Sequence, residues 1–184
     1  MNDNKIPTGT GIIVCGLNGS GKSTLGKALS NALAFHFIDN ENLFFTRSSN
    51  NEPYANPRTH DEATKILMDE VHKHSDFVFA AVKGDYGEEI LNLYDYVILI
   101  EVPKKIRLQR IRNRSYLKFA ERMLVGGDLY EQEERFFSFV ESRPEDCVEK
   151  WVKVVNCPII RVDGTKSVEE NIDFIIKTIK ENTK

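Results

Sequence analysis

At 184 residues and 41% apolar side chains, the chain is sized for one domain, 1–184, with a core of its own. A formal charge of −3 argues against general nucleic-acid affinity, and three cysteines (Cys15, Cys147, Cys157) with no CxxC spacing argue against a disulfide framework or zinc ribbon, so a reducing cytoplasm is the expected setting. The polar start MNDNKIPTGT lacks the apolar segment of a signal peptide, and the longest apolar run, YVILI, is far too short for a membrane span.

In chain order, a first strand is expected over 11–15 (GIIVC), then the loop GLNGSGKS, then a helix over 22–33. A second strand over 34–38 (AFHFI) leads into an Asn-, Ser- and Pro-rich excursion, residues 39–58, that suits a mobile flap. A helix over 59–73 opens on a capping box, Thr59 with Glu62. Strands follow over 77–82 (FVFAAV) and 96–102 (YVILIEV), and then a basic helix over 104–114. A second excursion, 113–128, carries Gly126-Gly127 and likewise suits a mobile flap. The chain closes with a helix over 130–141, a strand over 158–162 (PIIRV) and a helix over 167–180 opened by Ser167 and Glu170. Nearly continuous apolar strands alternating with helices predict an α/β fold, about five parallel strands flanked by helices. Ligands of such sheets bind beyond the carboxyl ends of the strands.

Gly16 to Ser23 satisfies GxxxxGK[ST] at every fixed position, between a strand and a helix. Phosphates need many donors in a small concave space, and small residues let backbone amides turn inward to supply them. The helix that follows adds free N–H groups and its dipole. Asn18, Gly19, Ser20, Gly21, Lys22, Ser23 and Thr24 are therefore the expected nucleotide cradle. Lys22 is placed to reach the β- and γ-phosphates, and the Ser23 hydroxyl to ligate Mg²⁺.

GLNGSGKSTLGKALSNAL, followed by a strand and Asp39, resembles the small P-loop kinases, the group of shikimate kinase, gluconate kinase and the nucleoside monophosphate kinases. The resemblance implies a three-layer P-loop NTPase fold with lid and flap, and ATP with Mg²⁺ as cofactors. Translation GTPases fit less well, since no NKxD motif is present. Shikimate and gluconate kinases carry Asp-x-Asp after strand two, where this chain has Asp39-Asn40-Glu41. By that likeness Asp39 stands near Mg²⁺ and the acceptor oxygen, and Glu41 contacts substrate. A helix N-cap is the structural alternative for Asp39.

Further on, Lys83 follows strand three, where it either holds an anionic substrate group or sits on a solvated turn. Residues 104–122 hold eight basic side chains and one acid, and 128–149 hold eight acids and two arginines. Arg107, Arg110 and Arg114 are spaced to share a helix face. QRIRNRS resembles the family's lid entry, which places Arg110 and Arg114 near the nucleotide. Arg122, farther into the lid, could close over the transferring phosphoryl group as a catalytic arginine beside Lys22 and Asp39. Arg143 resembles the arginine that binds the substrate carboxylate in shikimate kinases, and Arg58 stands where relatives place a substrate arginine. Gly164, after strand five, matches the loop that packs on adenine in adenylate-kinase-like proteins. Phe136, Phe137, Phe139 and Trp151 read as core or packing residues. The four histidines are scattered, and His72 with His74 cannot share a helix face.

The expected activity is ATP- and Mg²⁺-dependent phosphoryl transfer to a small-molecule acceptor, as monomer or homodimer, with no nucleic-acid or membrane partner. A nucleoside or nucleoside monophosphate kinase is the alternative enzyme, and a nucleotide-binding switch protein the alternative non-enzyme.

Overall fold

The computed structural model describes residues 9–45 and 57–182. Strand β1, Gly11–Cys15, is buried along its whole length at the centre of a five-stranded sheet. It pairs in parallel with β3, Phe77–Ala80, on one side and β4, Tyr96–Glu101, on the other. The edges are β2, His36–Asp39, and β5, Ile159–Asp163, giving the order β2-β3-β1-β4-β5. All pairings are parallel, so the carboxyl ends of the strands lie along one rim. The apolar runs of β1, β3 and β4 are covered on both faces, as expected, but β5 alternates exposed and buried residues because it is an edge.

Alternation along β1 feeds two cores. Ile12 and Val14 pack with Leu29 of α1, Lys22–Leu33, and with Ile175 and Ile179 of α8, Val168–Asn182. Ile13 and Cys15 pack with Leu67 of α3, His60–Lys73, and with Trp151 of α7, Cys147–Val152. A third, smaller core joins α5, Lys104–Phe119, to α6, Tyr130–Ser142, through Ile111, Phe119, Phe137 and Val140. Both expected capping boxes form, at Thr59 with Glu62 and at Ser167 with Glu170.

Some boundaries differ from the sequence reading. Strand β2 starts at His36 because Ala34 is left-handed (φ 59°) and closes α1. Asp39 ends β2 and caps a short helix, α2, Asn40–Phe44, at the start of the expected flap, whose residues 46–56 lie outside the described residues. Helix α5 continues to Phe119, since Ser115 and Phe119 keep the four-residue spacing of its buried stripe, and only then gives way to a 3-10 turn, Ala120–Met123. The expected lid is thus half helix. The short helices α4, Glu88–Leu91, and α7 were not legible. Among the described residues, no helix is long and apolar enough to cross a membrane.

Candidate active site

The loop after β1 is folded against the first turns of α5. Gly19 has φ +80°, and a Cβ there would come within 2.4 Å of the Arg107 carbonyl oxygen. Only a glycine fits, because both the backbone angle and the space forbid a side chain. The Lys22 ammonium donates to the Leu17 carbonyl oxygen at 3.1 Å, folding it back over its own loop. Burial pulls the Lys22 pKa down to about 8, with Arg114 and Arg143 adding to the effect, while Cys15 and Asp39 oppose it. The buried Ser20 hydroxyl has no hydrogen-bond partner among the described residues. An unpartnered hydroxyl, a glycine cradle and the free amides at the start of α1 suit an anionic oxygen.

Two cavities open at this rim. The smaller, about 210 Å³, is lined by Gly19, Gly21, Lys22, Ser23, Thr24, Arg110, Ile111 and Arg114. The larger, about 500 Å³, brings Lys22 and Ser23 together with Asp39, Glu41 and Arg114. Asp39 accepts a hydrogen bond from the Glu41 backbone N–H at 3.0 Å, so the N-cap role is real and orients the carboxylate. Ser23 and Asp39 offer hydroxyl and carboxylate oxygens, the hard donors that Mg²⁺ takes.

Other expected site residues are placed as follows. Arg110 donates to the Gly164 carbonyl oxygen at 3.0 Å, and a Cβ on Gly164 would lie 3.0 Å from the Ser20 carbonyl oxygen, so both stand beside the phosphate loop. Arg122 is paired with Asp128 at 2.6 Å and lines neither cavity. Lys83 pairs with Asp85 at 2.6 Å on the surface. Arg58 donates to the carbonyl oxygens of Asn42 and Leu43, tying down the end of α2. Arg143 lies over the Phe139 ring, 5.0 Å from its centroid. Phe137 and Trp151 are core residues, whereas Phe136 lines the larger cavity and Phe139 is exposed.

Several contributors were missed by the sequence reading. Arg107 does not share the setting of Arg110 and Arg114: it is 2% exposed and they are exposed. Its Nη2 donates to both carboxylate oxygens of Glu145 (2.8 and 2.6 Å), its Nε to Val102 O and its Nη1 to Asn18 O. It thereby clamps the phosphate loop. The signal was its place on the buried stripe 107-111-115-119. Glu133 likewise falls on the buried stripe of α6 with Phe137 and Val140, and it lines the larger cavity with Gln132. Tyr86 donates to Asn40 beside the same rim and stacks on His60. At the opposite end of β2, His36 bonds Glu70 at 2.8 Å and stacks on His74 with centroids 3.8 Å apart. The histidines are therefore not all scattered, because His74 lies past the end of α3, where helical spacing no longer applies.

A parallel 2-3-1-4-5 sheet flanked by helices, whose first loop is GLNGSGKS, defines the small P-loop kinase fold. The chain belongs to the AAA domain family (AAA_18), whose model matches residues 12–135. It is 26% identical over 179 residues to the uncharacterized protein YqaC of Bacillus subtilis (strain 168), covering 93% of this chain and 98% of that one. Among solved structures it resembles a gluconokinase from Sinorhizobium meliloti 1021 (TM-score 0.55, 13% identity, 95% of this chain and 93% of that one). It also resembles the shikimate kinases of Aquifex aeolicus (TM-score 0.52, 20% identity, 95% and 98%) and of Acinetobacter baumannii in complex with shikimate (TM-score 0.56, 16% identity, 94% of each chain).

Proposed function

We propose that the protein transfers a phosphoryl group from ATP, with Mg²⁺, to a hydroxyl of a small-molecule acceptor. The observation that carries this is the larger cavity, in which Lys22 and Ser23 of the phosphate loop face the same space as Asp39 at the end of β2. A binding switch also uses a carboxylate there to hold Mg²⁺, so what favours transfer is that Asp39 faces a cavity of about 500 Å³, with room for an acceptor beside the phosphate loop.

In this reading the backbone amides of residues 18–24 and the start of α1 hold the triphosphate. Lys22 leaves Leu17 O and takes up the terminal phosphates, where its charge offsets what develops in transit. Mg²⁺, when bound through Ser23 and Asp39, supplies charge neutralisation at the phosphate oxygens. Asp39, held by the Glu41 N–H, orients the acceptor hydroxyl and takes its proton. Arg114 lines both cavities and is the lid arginine best placed to stabilise the transferring group. Arg122 would first have to leave Asp128.

The test is ADP release from ATP and Mg²⁺ across sugars, hydroxy acids, nucleosides and nucleotides. The expected result is turnover stimulated by one acceptor class, reduced about 100-fold or more in Asp39→Asn and in Lys22→Ala. Tight ATP binding with no acceptor-stimulated turnover would instead make the protein a nucleotide-dependent switch.

A further inference from the structure

Helix α6 carries several acids, and their surroundings differ. Glu131 pairs with Arg135 at 3.8 Å and Glu134 with Arg112 at 3.4 Å, both on the exposed side. Glu133 is 3% exposed, lines the larger cavity, and its Oε2 has no hydrogen-bond partner among the described residues. A carboxylate taken from water without compensating donors is costly, and a fold keeps one where something else completes it.

The lining says what that something is. Of the cations that line the larger cavity among the described residues, Lys22 and Arg114 also line the smaller cavity at the phosphate loop, which leaves Lys118 as the one other basic residue described there. Against it stand Asp39, Glu41 and Glu133, with Gln132 beside them and Phe45, Phe119 and Phe136 as apolar wall. A carboxylated acceptor would meet like charge at Glu133. An O–H or N–H group would meet a ready hydrogen-bond acceptor, and a ring face would meet aromatic carbon.

We infer that Glu133 is a specificity residue, and that the acceptor is an uncharged or cationic ring compound donating an O–H or N–H hydrogen bond to its carboxylate, which turns toward the cavity to receive it, such as a nucleoside or an amino sugar, and not a carboxylic acid. The inference rests on the phosphotransfer reading for the identity of the cavity as the acceptor site. It sets this chain apart from relatives named for shikimate and gluconate, although the fold is shared.

The test uses the full chain with two readouts, acceptor binding by calorimetry with a non-hydrolysable ATP analogue present, and ADP release. The probes are a nucleoside set, neutral and amino sugars, and the acids shikimate and gluconate. At least ten-fold tighter binding of a donor-bearing neutral or cationic ring than of either acid is expected. Nucleosides alone, or sugars alone, in the positive set identify the source. Glu133→Gln is expected to weaken that acceptor ten-fold or more, to leave ATP affinity within two-fold, and to narrow the gap to the acids. Glu133→Asp, which keeps the charge, recovers part of the loss. The same Glu133→Gln change raises thermal stability of the acceptor-free protein, since it replaces a buried carboxylate whose Oε2 has no partner among the described residues. Preferential binding of an acid, binding of no probe, or a stability gain with acceptor affinity unchanged overturns the inference. Binding through Glu133 without turnover leaves it standing and overturns the kinase reading instead.

Discussion

The phosphate loop and the α5–α6 wall face each other across one cavity and are built in opposite ways. The loop is a contiguous stretch from Gly16 to Ser23 whose working parts are mostly main chain, fixed by the end of β1 and the start of α1. The wall collects Arg114, Ser115 and Phe119 from one helix and Gln132, Glu133 and Phe136 from another, over a small core of its own. A loop that binds through backbone tolerates no added atom but needs little help from distant sequence. A wall that binds through side chains can change its chemistry residue by residue while the two helices stay packed. In the proposed reaction, phosphate binding therefore belongs to the first region and the choice of acceptor to the second.

The largest expected effect comes from breaking the loop where it needs main chain alone. Gly19→Ala puts a methyl 2.4 Å from Arg107 O in a left-handed conformation, so the loop must move away from α5. It should cost about 3 kcal/mol of stability and remove measurable ATP binding by calorimetry. A variant that melts like the parent and binds ATP normally would show that the loop and α5 are not rigidly coupled.

The two regions meet at Arg107, which reaches from α5 to the loop carbonyl of Asn18 and to Glu145 beyond α6. Glu145→Gln keeps the shape but strips the charge opposite a buried guanidinium. Glu145 is half-exposed, which tempers the loss to about 1–2 kcal/mol in denaturant unfolding. ATP should then bind more weakly although no residue that touches it has changed. An effect on stability without one on ATP affinity would reduce Arg107 to a packing role.

This contrast also explains what could be read from sequence. The phosphate loop was legible because its chemistry is encoded in adjacent letters with a fixed flank. The central strands were legible because burial on both faces leaves unbroken apolar runs, and both capping boxes because they are local. Edge strand β5 was found by its β-branched residues, though its alternating burial was not foreseen. The wall was poorly legible. Spacing puts its arginines on one helix face, but what separates their roles is which of them falls on the stripe facing α6 and the loop. That stripe includes Arg107 and excludes Arg110 and Arg114. Glu133 carried a readable signal, an acid in the apolar register of Phe137 and Val140, which the general acidity of the segment obscured. The partners Arg122 with Asp128, and Arg58 with the end of α2, depend on turns that no local pattern announces.

The smallest expected effect reads the wall's influence on the loop directly. Lys22 sits in the loop, but its pKa of about 8 is set by burial and by charges from elsewhere, among them Arg114 on α5 and Asp39 after β2. Because the folded value lies below the ordinary lysine value, the unfolded chain holds more protons in this range, and the free protein should gain stability as pH rises from about 8 toward 10.5. A bound triphosphate favours the ammonium form. At pH 8 roughly half of the free protein lacks the proton, so ATP binding should take up about half a proton. The uptake is measured as a dependence of the binding enthalpy on the buffer's ionisation enthalpy, and it should vanish near pH 6.5. Arg114→Gln removes a charge that opposes protonation of Lys22, so it should raise the free pKa and shrink the uptake at pH 8. An uptake unchanged by Arg114→Gln would mean that the loop sets its own charge and that the wall acts on the acceptor alone.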